Sequence, residues 1–459
     1  MPIDLSRVVF VALLLAVLAA PAALGAVDMW VWAAQGLTAG LALSVWAVHV
    51  AVGHPPPVAL RRIALPTLLF AGALAWAAFQ ASGAGPAAWH HPLWAMAGAA
   101  LGRDVPGAVS VAPLDGWDAV FRLAACGAVF YLALNLCRDR RRAVAAIEAV
   151  ALAATLYAAY GIAAHLSGAE RILWFDKTSY RGDLTATFVN RNTFAVFAGL
   201  GLVCLTALLC DGLAQAARGV RGRVERRRLI AGFLAGRGAA LAGGVFVVAT
   251  AILLTHSRAG LVCTMAAILV LLLALGLSGA MRLWRTLAAV GVATALAGAV
   301  LIAGGGAVTA ERFLLVGDHA ETRLALYHRT IEATTDSPWL GTGYGTFGQA
   351  FRPYRTQAIA EPFTEAHNTY LETAMELGVP AGAALVLAVA SLSALCVAGL
   401  VRRRRDLMLP ATGLAASALV GLQAVVDYAI QNPAVAALYA LLMGAACAQC
   451  WSSRIDASR

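Results

Sequence analysis

Apolar positions in this chain neither alternate with polar ones nor keep to one helical stripe; they run together in stretches that would be apolar on every side of a helix. Such a helix lies inside a protein or a bilayer, and about 20 residues of it cross roughly 30 Å of hydrocarbon. Twelve stretches of that kind predict spanning helices near residues 8–25, 29–52, 63–83, 118–137, 143–166, 193–214, 238–256, 259–279, 286–306, 377–401, 408–430 and 433–452. One interval, 307–376, breaks the rhythm with a dense set of arginines, histidines and carboxylates. The predicted organisation is nine spans with short loops over 1–306, a large outer loop over 307–376, and three spans with a tail over 377–459. The first run has Arg7 ahead of it and small residues at its end, as a signal peptide has. Removing it would invert every later loop, so it is read as a span.

Composition agrees with an all-α polytopic membrane protein: 61% of the 459 residues are hydrophobic and the mean hydropathy is +0.77, outside the range of soluble domains. A net charge of +10 could point to nucleic acid. The arginines decide otherwise. With the N-terminus inside, the clusters at Arg61-Arg62, Arg138 to Arg142, Arg218 to Arg237, Arg282 and Arg285, Arg402 to Arg405 and Arg454 all face one side, which is then the cytoplasm. The basic balance is a topology signal, and no nucleic-acid partner is expected. All eight cysteines fall in or beside spans, so no outer disulfide framework is implied.

The polar residues left over fall on the other side. In the loop 84–117, Trp89 and Trp94 suit an interfacial segment, and the adjacent His90 and His91 point apart and make a poor metal pair. The loop 167–192 holds Arg181, Asp183, Asn190, Arg191 and Asn192. Arg191 and Asn192 stand just before a span, where a cation opposes the helix dipole and a bound anion would relieve it. Arg258 repeats the arrangement in a minimal turn between two spans, with Ser257 as the predicted N-cap. In the large loop a helix is predicted over 321–335, with Leu324, His328 and Ile331 on its apolar face and Arg323, Tyr327 and Thr330 beside them. Gly341, Gly343, Gly345 and Gly348 predict turns that let backbone approach a ligand or the membrane, since no βαβ unit precedes them. His367 is expected at the start of a helix running unbroken from Thr369 into the tenth span. Asp427, within an apolar run, must be paired or near the outer rim, with the outer arginines as natural partners. Glu361/Glu365 and Glu372/Glu376 have the i, i+4 spacing that could hold a divalent cation, but arginine already supplies positive charge; no metal or other cofactor is expected.

Four motifs resemble the family of O-antigen ligases and O-antigen or exopolysaccharide polymerases. They are Phe188-Val-Asn190-Arg191-Asn192-Thr-Phe-Ala195; His256-Ser257-Arg258-Ala259-Gly260; Arg323 followed by Ser337-Pro338-Trp-Leu-Gly341-Thr-Gly343-Tyr344-Gly345; and His367-Asn368-Thr-Tyr-Leu-Glu372 followed by Glu376-Leu-Gly378. The chain departs from the ligase pattern at Ala381, where the family has glycine, threonine or tyrosine, with Gly382 one place later. The resemblance implies the C type of glycosyltransferase fold and metal-independent, inverting transfer at the outer face of the bacterial inner membrane. The implied donor is an undecaprenyl-diphosphate-linked glycan, and the acceptor is lipid A core or another glycan. It further implies that Arg258 and Arg323 bind the diphosphate, that His367 is the general base, and that Arg181, Arg191, Asn192, Tyr344 and Asn368 contact substrate. Asp427 is read as supporting them from behind. Arginine's fork matches phosphate oxygens, as that chemistry needs. A transporter is the rival class, but it should carry ionisable groups near the midplane and paired broken helices, and the polar residues here gather outside.

Overall fold

The computed structural model describes residues 4–216, 222–277, 316–356, 359, 362–403 and 406–451. The predicted span 286–306, the exit Gly304 to Gly306 and arginines 218, 221, 282, 285, 312, 404, 405 and 454 lie outside these residues, as does Glu361. The protein is a helical, multi-pass membrane protein. Its helices are α1 (Leu5–Ala19), α2 (Met29–Ala51), α3 (Ala64–Ser82), α4 (Leu93–Leu101), α5 (Pro113–Leu136), α6 (Arg140–Leu166), α7 (Arg191–Ala216), α8 (Arg223–Ala235), α9 (Arg237–Leu254), α10 (Arg258–Leu277), α11 (Val316–Asp336), α12 (Phe347–Ala350), α13 (Thr369–Leu377), α14 (Val379–Arg402), α15 (Met408–Gln423) and α16 (Pro433–Ala448). Among the described residues nine helices are long and apolar enough to cross a membrane, and α15 and α16 are apolar but shorter. Among the described residues the one small sheet is a hairpin of β1 (Arg171–Ile172) and β2 (Phe175–Asp176).

The core lies around α7. Phe194, Ala195, Val196, Phe197, Ala198 and Leu200 are all buried, so this helix is covered on every side, and it packs against α6, α9, α10 and α15. Its first residue is Arg191. The arginine before the most buried span is thereby fixed to the rigid centre of the bundle.

Two expectations about element ends are corrected. The eleventh span, expected over 408–430, is helical only to Gln423. Beyond it the carbonyl of Ala424 accepts from the Thr369 backbone N–H at 2.8 Å, and the carbonyl of Asp427 accepts from Thr369 Oγ1 at 3.0 Å. The apolar residues of 424–426 thus form a turn whose N–H groups bond back to α15 and whose Ala424 and Val425 carbonyls are taken by Thr369 and Tyr327. Irregular backbone at this depth is tolerated on that condition. The helix from Thr369 is not continuous with the tenth span either: it stops at Leu377, and Gly378, at φ 77° and ψ 155°, redirects the chain into α14. Only glycine adopts that conformation readily.

The apolar face read for α11 is also reversed. Leu326, Thr330 and Ala333 are buried, against Phe347, Phe351 and Met375, while Leu324 and Ile331 are exposed. Small side chains at 330 and 333 let the helix approach α13, a gain in close packing that periodicity of large apolar residues does not reveal. Three of the four glycines form positive-φ turns as expected, with φ of 69°, 108° and 77° at Gly341, Gly343 and Gly345, whereas Gly348 lies within α12. The backbone they bring close is the protein's own. Thr342 and Gly343 donate to the Glu376 carbonyl at 3.1 and 2.9 Å, and Val111 donates to the Thr342 carbonyl at 2.9 Å.

Candidate active site

His367 stands one residue ahead of the Asn368 N-cap, whose side chain accepts from the N–H groups of Tyr370 and Leu371. Its backbone is left-handed, at φ 52°. That conformation is unfavourable for a histidine and persists where neighbours over-determine it. Here Ala366 donates its N–H to Glu372 at 2.7 Å, and the His367 carbonyl accepts from Tyr327 Oη at 2.9 Å. The imidazole meets Phe363 and Tyr428 edge-on, at centroid distances of 5.8 and 5.1 Å. Its Nδ1 lies 3.6 Å from Asp427 Oδ1, buried and without a hydrogen bond among the described residues. Asp427 is itself buried and accepts from the Tyr428 N–H at 2.8 Å. The ionisable side chain within 4 Å of Asp427 among the described residues is therefore the histidine, where the sequence pointed to outer arginines.

Beside this pair, Asp183 joins two of the motifs. It accepts from Arg191 at 2.6 Å and lies 2.8 Å from His256 Nδ1, and His256 too is left-handed, at φ 51°. Arg191 lies over the Tyr180 ring at 5.4 Å, and its Nε is buried with no hydrogen-bond partner among the described residues. Ser257 caps α10 as expected, its Oγ accepting from Gly260 at 3.2 Å while donating to Asn192 Oδ1 at 2.8 Å. Asn190 donates to Tyr428 Oη at 2.9 Å, which ties the arginine turn to the ring beside His367. Arg258 begins α10, exposed, one residue from that Ser257 link. Burial pushes the Tyr180 phenol up; Asp427 and Asp183 add to the rise, and Arg191 and Arg323 oppose it, so all four charges act on one ring. Tyr327 feels Arg323 and Asp427 in the same way.

The structure thus brings Arg191, Asn192, Arg323, His367, Asn368 and Asp427 to one locality, with Arg258 joined to it through Ser257. Two other residues make contacts of their own. Arg181 is exposed and donates to the Lys177 carbonyl at 3.3 Å. Tyr344 packs with Trp117 and Leu377, near Glu376 and Arg122. Sequence reasoning named Asp183 and Glu372 without these roles and missed Tyr428. Asp183 carried a signal, an acid in a loop dense in arginine; Tyr428 carried none beyond adjacency to Asp427.

The i, i+4 pair Glu372 and Glu376 is buried, and both carboxylates are used on backbone. Glu372 holds Ala366 and Glu376 holds Phe347 at 2.8 Å. Burial pushes both up, with the Glu376 and Glu365 carboxylates adding to the rise of Glu372 and Glu376 reaching about 7. Among the described residues no group of three or more histidine, cysteine, aspartate or glutamate side chains is placed to hold a metal ion.

No curated protein matches this chain. Residues 243–386 match the family model described as O-antigen ligase, a segment that contains Arg258, Arg323, Tyr344, His367 and Asn368 but neither Asp183 nor Asp427. Over that segment the chain is similar to the O-antigen ligase family, and the match together with the motifs supports glycosyl transfer of the O-antigen ligase or polymerase type.

Proposed function

We propose that this protein moves a glycan from undecaprenyl diphosphate to an acceptor hydroxyl at the periplasmic face of the inner membrane, with inversion, in the manner of an O-antigen ligase acting on lipid A core. The observation that carries this reading is the His367–Asp427 pair, 3.6 Å apart, beside the arginine turn that Asn190 links to Tyr428. In the reaction, the acceptor oxygen bonds to the anomeric carbon as its proton passes to His367 Nε2. The bond from that carbon to the diphosphate oxygen breaks, and the diphosphate leaves with the electron pair. Asp427 faces Nδ1, so it favours the tautomer with Nε2 open and stabilises the imidazolium as it forms. Arg191, Arg323 and Arg258 face the leaving diphosphate, where charge develops and fixed donors act most strongly. Ala381, in place of the glycine, threonine or tyrosine of the ligase pattern, leaves room for a second reading, polymerase action on a lipid-linked glycan.

The test is His367→Ala in purified protein with a lipid-linked donor. Loss of a general base typically costs about 10²- to 10⁴-fold in the chemical step, so transfer should collapse while the lipid diphosphate still binds. Near-normal transfer would make the histidine structural; lost donor binding at normal folding would make it a phosphate ligand.

A further inference from the structure

His367 borders two environments. Tyr428 connects it to Asn190 and the arginine turn. Phe363, its other aromatic neighbour, is a wall of a separate polar cavity of ≈ 360 Å³. The first turns of α5 supply Asp115, Asp118 and Arg122 to that cavity, and Gln349 and Arg352 come from the segment after the glycine turns. Asp115 is engaged by Gln349. The Arg122 guanidinium lies over the Trp32 ring at 5.7 Å, yet its Nε is buried with no hydrogen-bond partner among the described residues. A buried donor in that state is a cost that a bound oxygen would remove.

We propose that this cavity is the acceptor subsite and that it takes an anionic saccharide, a sugar ring bearing phosphate or carboxylate; this rests on the glycosyl-transfer reading above. Arg122 and Arg352 supply the forked donors that an anionic group needs. Asp118 accepts from sugar hydroxyls and Gln349 can both donate and accept. Phe363 offers an apolar face to the ring and is the residue the cavity shares with the base. An acceptor held there presents a hydroxyl at the boundary with His367, while the donor diphosphate keeps the arginine turn. Neutral sugars satisfy the acids but leave Arg122 as it is, which is why the charge is part of the assignment.

The experiment uses the full chain in nanodiscs saturated with undecaprenyl diphosphate, so that the donor arginines are occupied. Binding of glucose 6-phosphate, glucuronate, glucose and inorganic phosphate is measured by calorimetry on wild type, Arg122→Gln and Arg352→Gln. The expected result is binding of glucose 6-phosphate or glucuronate, weakened about tenfold in each variant, with undecaprenyl diphosphate affinity unchanged. Which of the two sugars binds identifies the anion as phosphate or carboxylate. Arg352 is exposed on a short segment, so its variant keeps the test valid if Arg122→Gln fails to fold. The proposal is overturned if neither anionic sugar binds, if glucose binds as tightly, if both variants bind as wild type does, or if inorganic phosphate binds as tightly as glucose 6-phosphate. Failure of wild type to bind undecaprenyl diphosphate sinks the donor reading instead, and is read out separately.

Discussion

Asp427→Asn tests the mechanism with the smallest change of shape. Asparagine keeps an oxygen for the Tyr428 N–H, now 2.8 Å away, so the turn that holds the side chain survives and only the charge is lost. At 3.6 Å and an effective dielectric constant of about 20, full opposite charges attract by about 4.6 kcal/mol. If the imidazolium is about half formed in the transition state, the carboxylate contributes about 2.3 kcal/mol there, or about 50-fold in rate. An amide can also offer an N–H to Nδ1 and so select the tautomer with Nε2 protonated, which enlarges the loss. The assay is single-turnover transfer at saturating donor and acceptor, with donor affinity and thermal stability measured alongside. The rate should fall by about 50-fold or more while donor affinity holds. A variant that keeps more than half of the wild-type rate would refute the pairing of Asp427 with a catalytic base.

Three further outcomes are expected. Arg258→Lys keeps the charge and loses the fork, so kcat/KM for the lipid donor should drop at least about tenfold; wild-type turnover would reduce Arg258 to a headgroup contact. Burial holds the Glu376 carboxyl at about 7 against an ordinary 4.5, so between those values the folded protein keeps a proton that the unfolded chain has released. Its contribution is complete below the lower value and is lost as pH rises through the upper one, by about 3 kcal/mol at most. The Tm should therefore fall from pH 5 to 8, less steeply in Glu376→Gln, with Glu372, raised in the same direction, supplying the remainder; equal slopes would contradict this. A cysteine at Thr356, in a background without the native cysteines, should react with a membrane-impermeant maleimide in spheroplasts and one at Ala216 should not. The reverse pattern would turn the site to the cytoplasm.

The spans were legible because a run apolar on all sides has few places to go but a bilayer or a core. Their ends were less so. At Ala424 the chain leaves the helix because Thr369, distant in sequence, takes its carbonyl, and no local pattern of apolar residues reports that. Gly378 is a similar case: glycine is tolerated inside spanning helices, so its residue type alone does not announce the break at φ 77°. The motif residues of the site were readable as chemistry, since arginine and histidine are few choices in a greasy chain. What held them was hidden. Asp183 reaches Arg191 and His256 across 8 and 73 positions, and the face of α11 that packs carries Thr330 and Ala333 rather than its largest apolar side chains.

The turn after α15 bears on when the protein becomes active as it is made. The site draws on residues near 183–192, 256–258, 323–327 and 363–368, and it closes with Asp427 and Tyr428. Helices can insert and pack one after another during synthesis, but contacts between distant segments wait for the later partner. Until the ribosome has passed α15 and the turn after it, His367 lacks its acid and Asn190 lacks its tyrosine. On the function proposed above, a nascent chain in the membrane would present its arginines to the lipid-linked donor before it could turn that donor over.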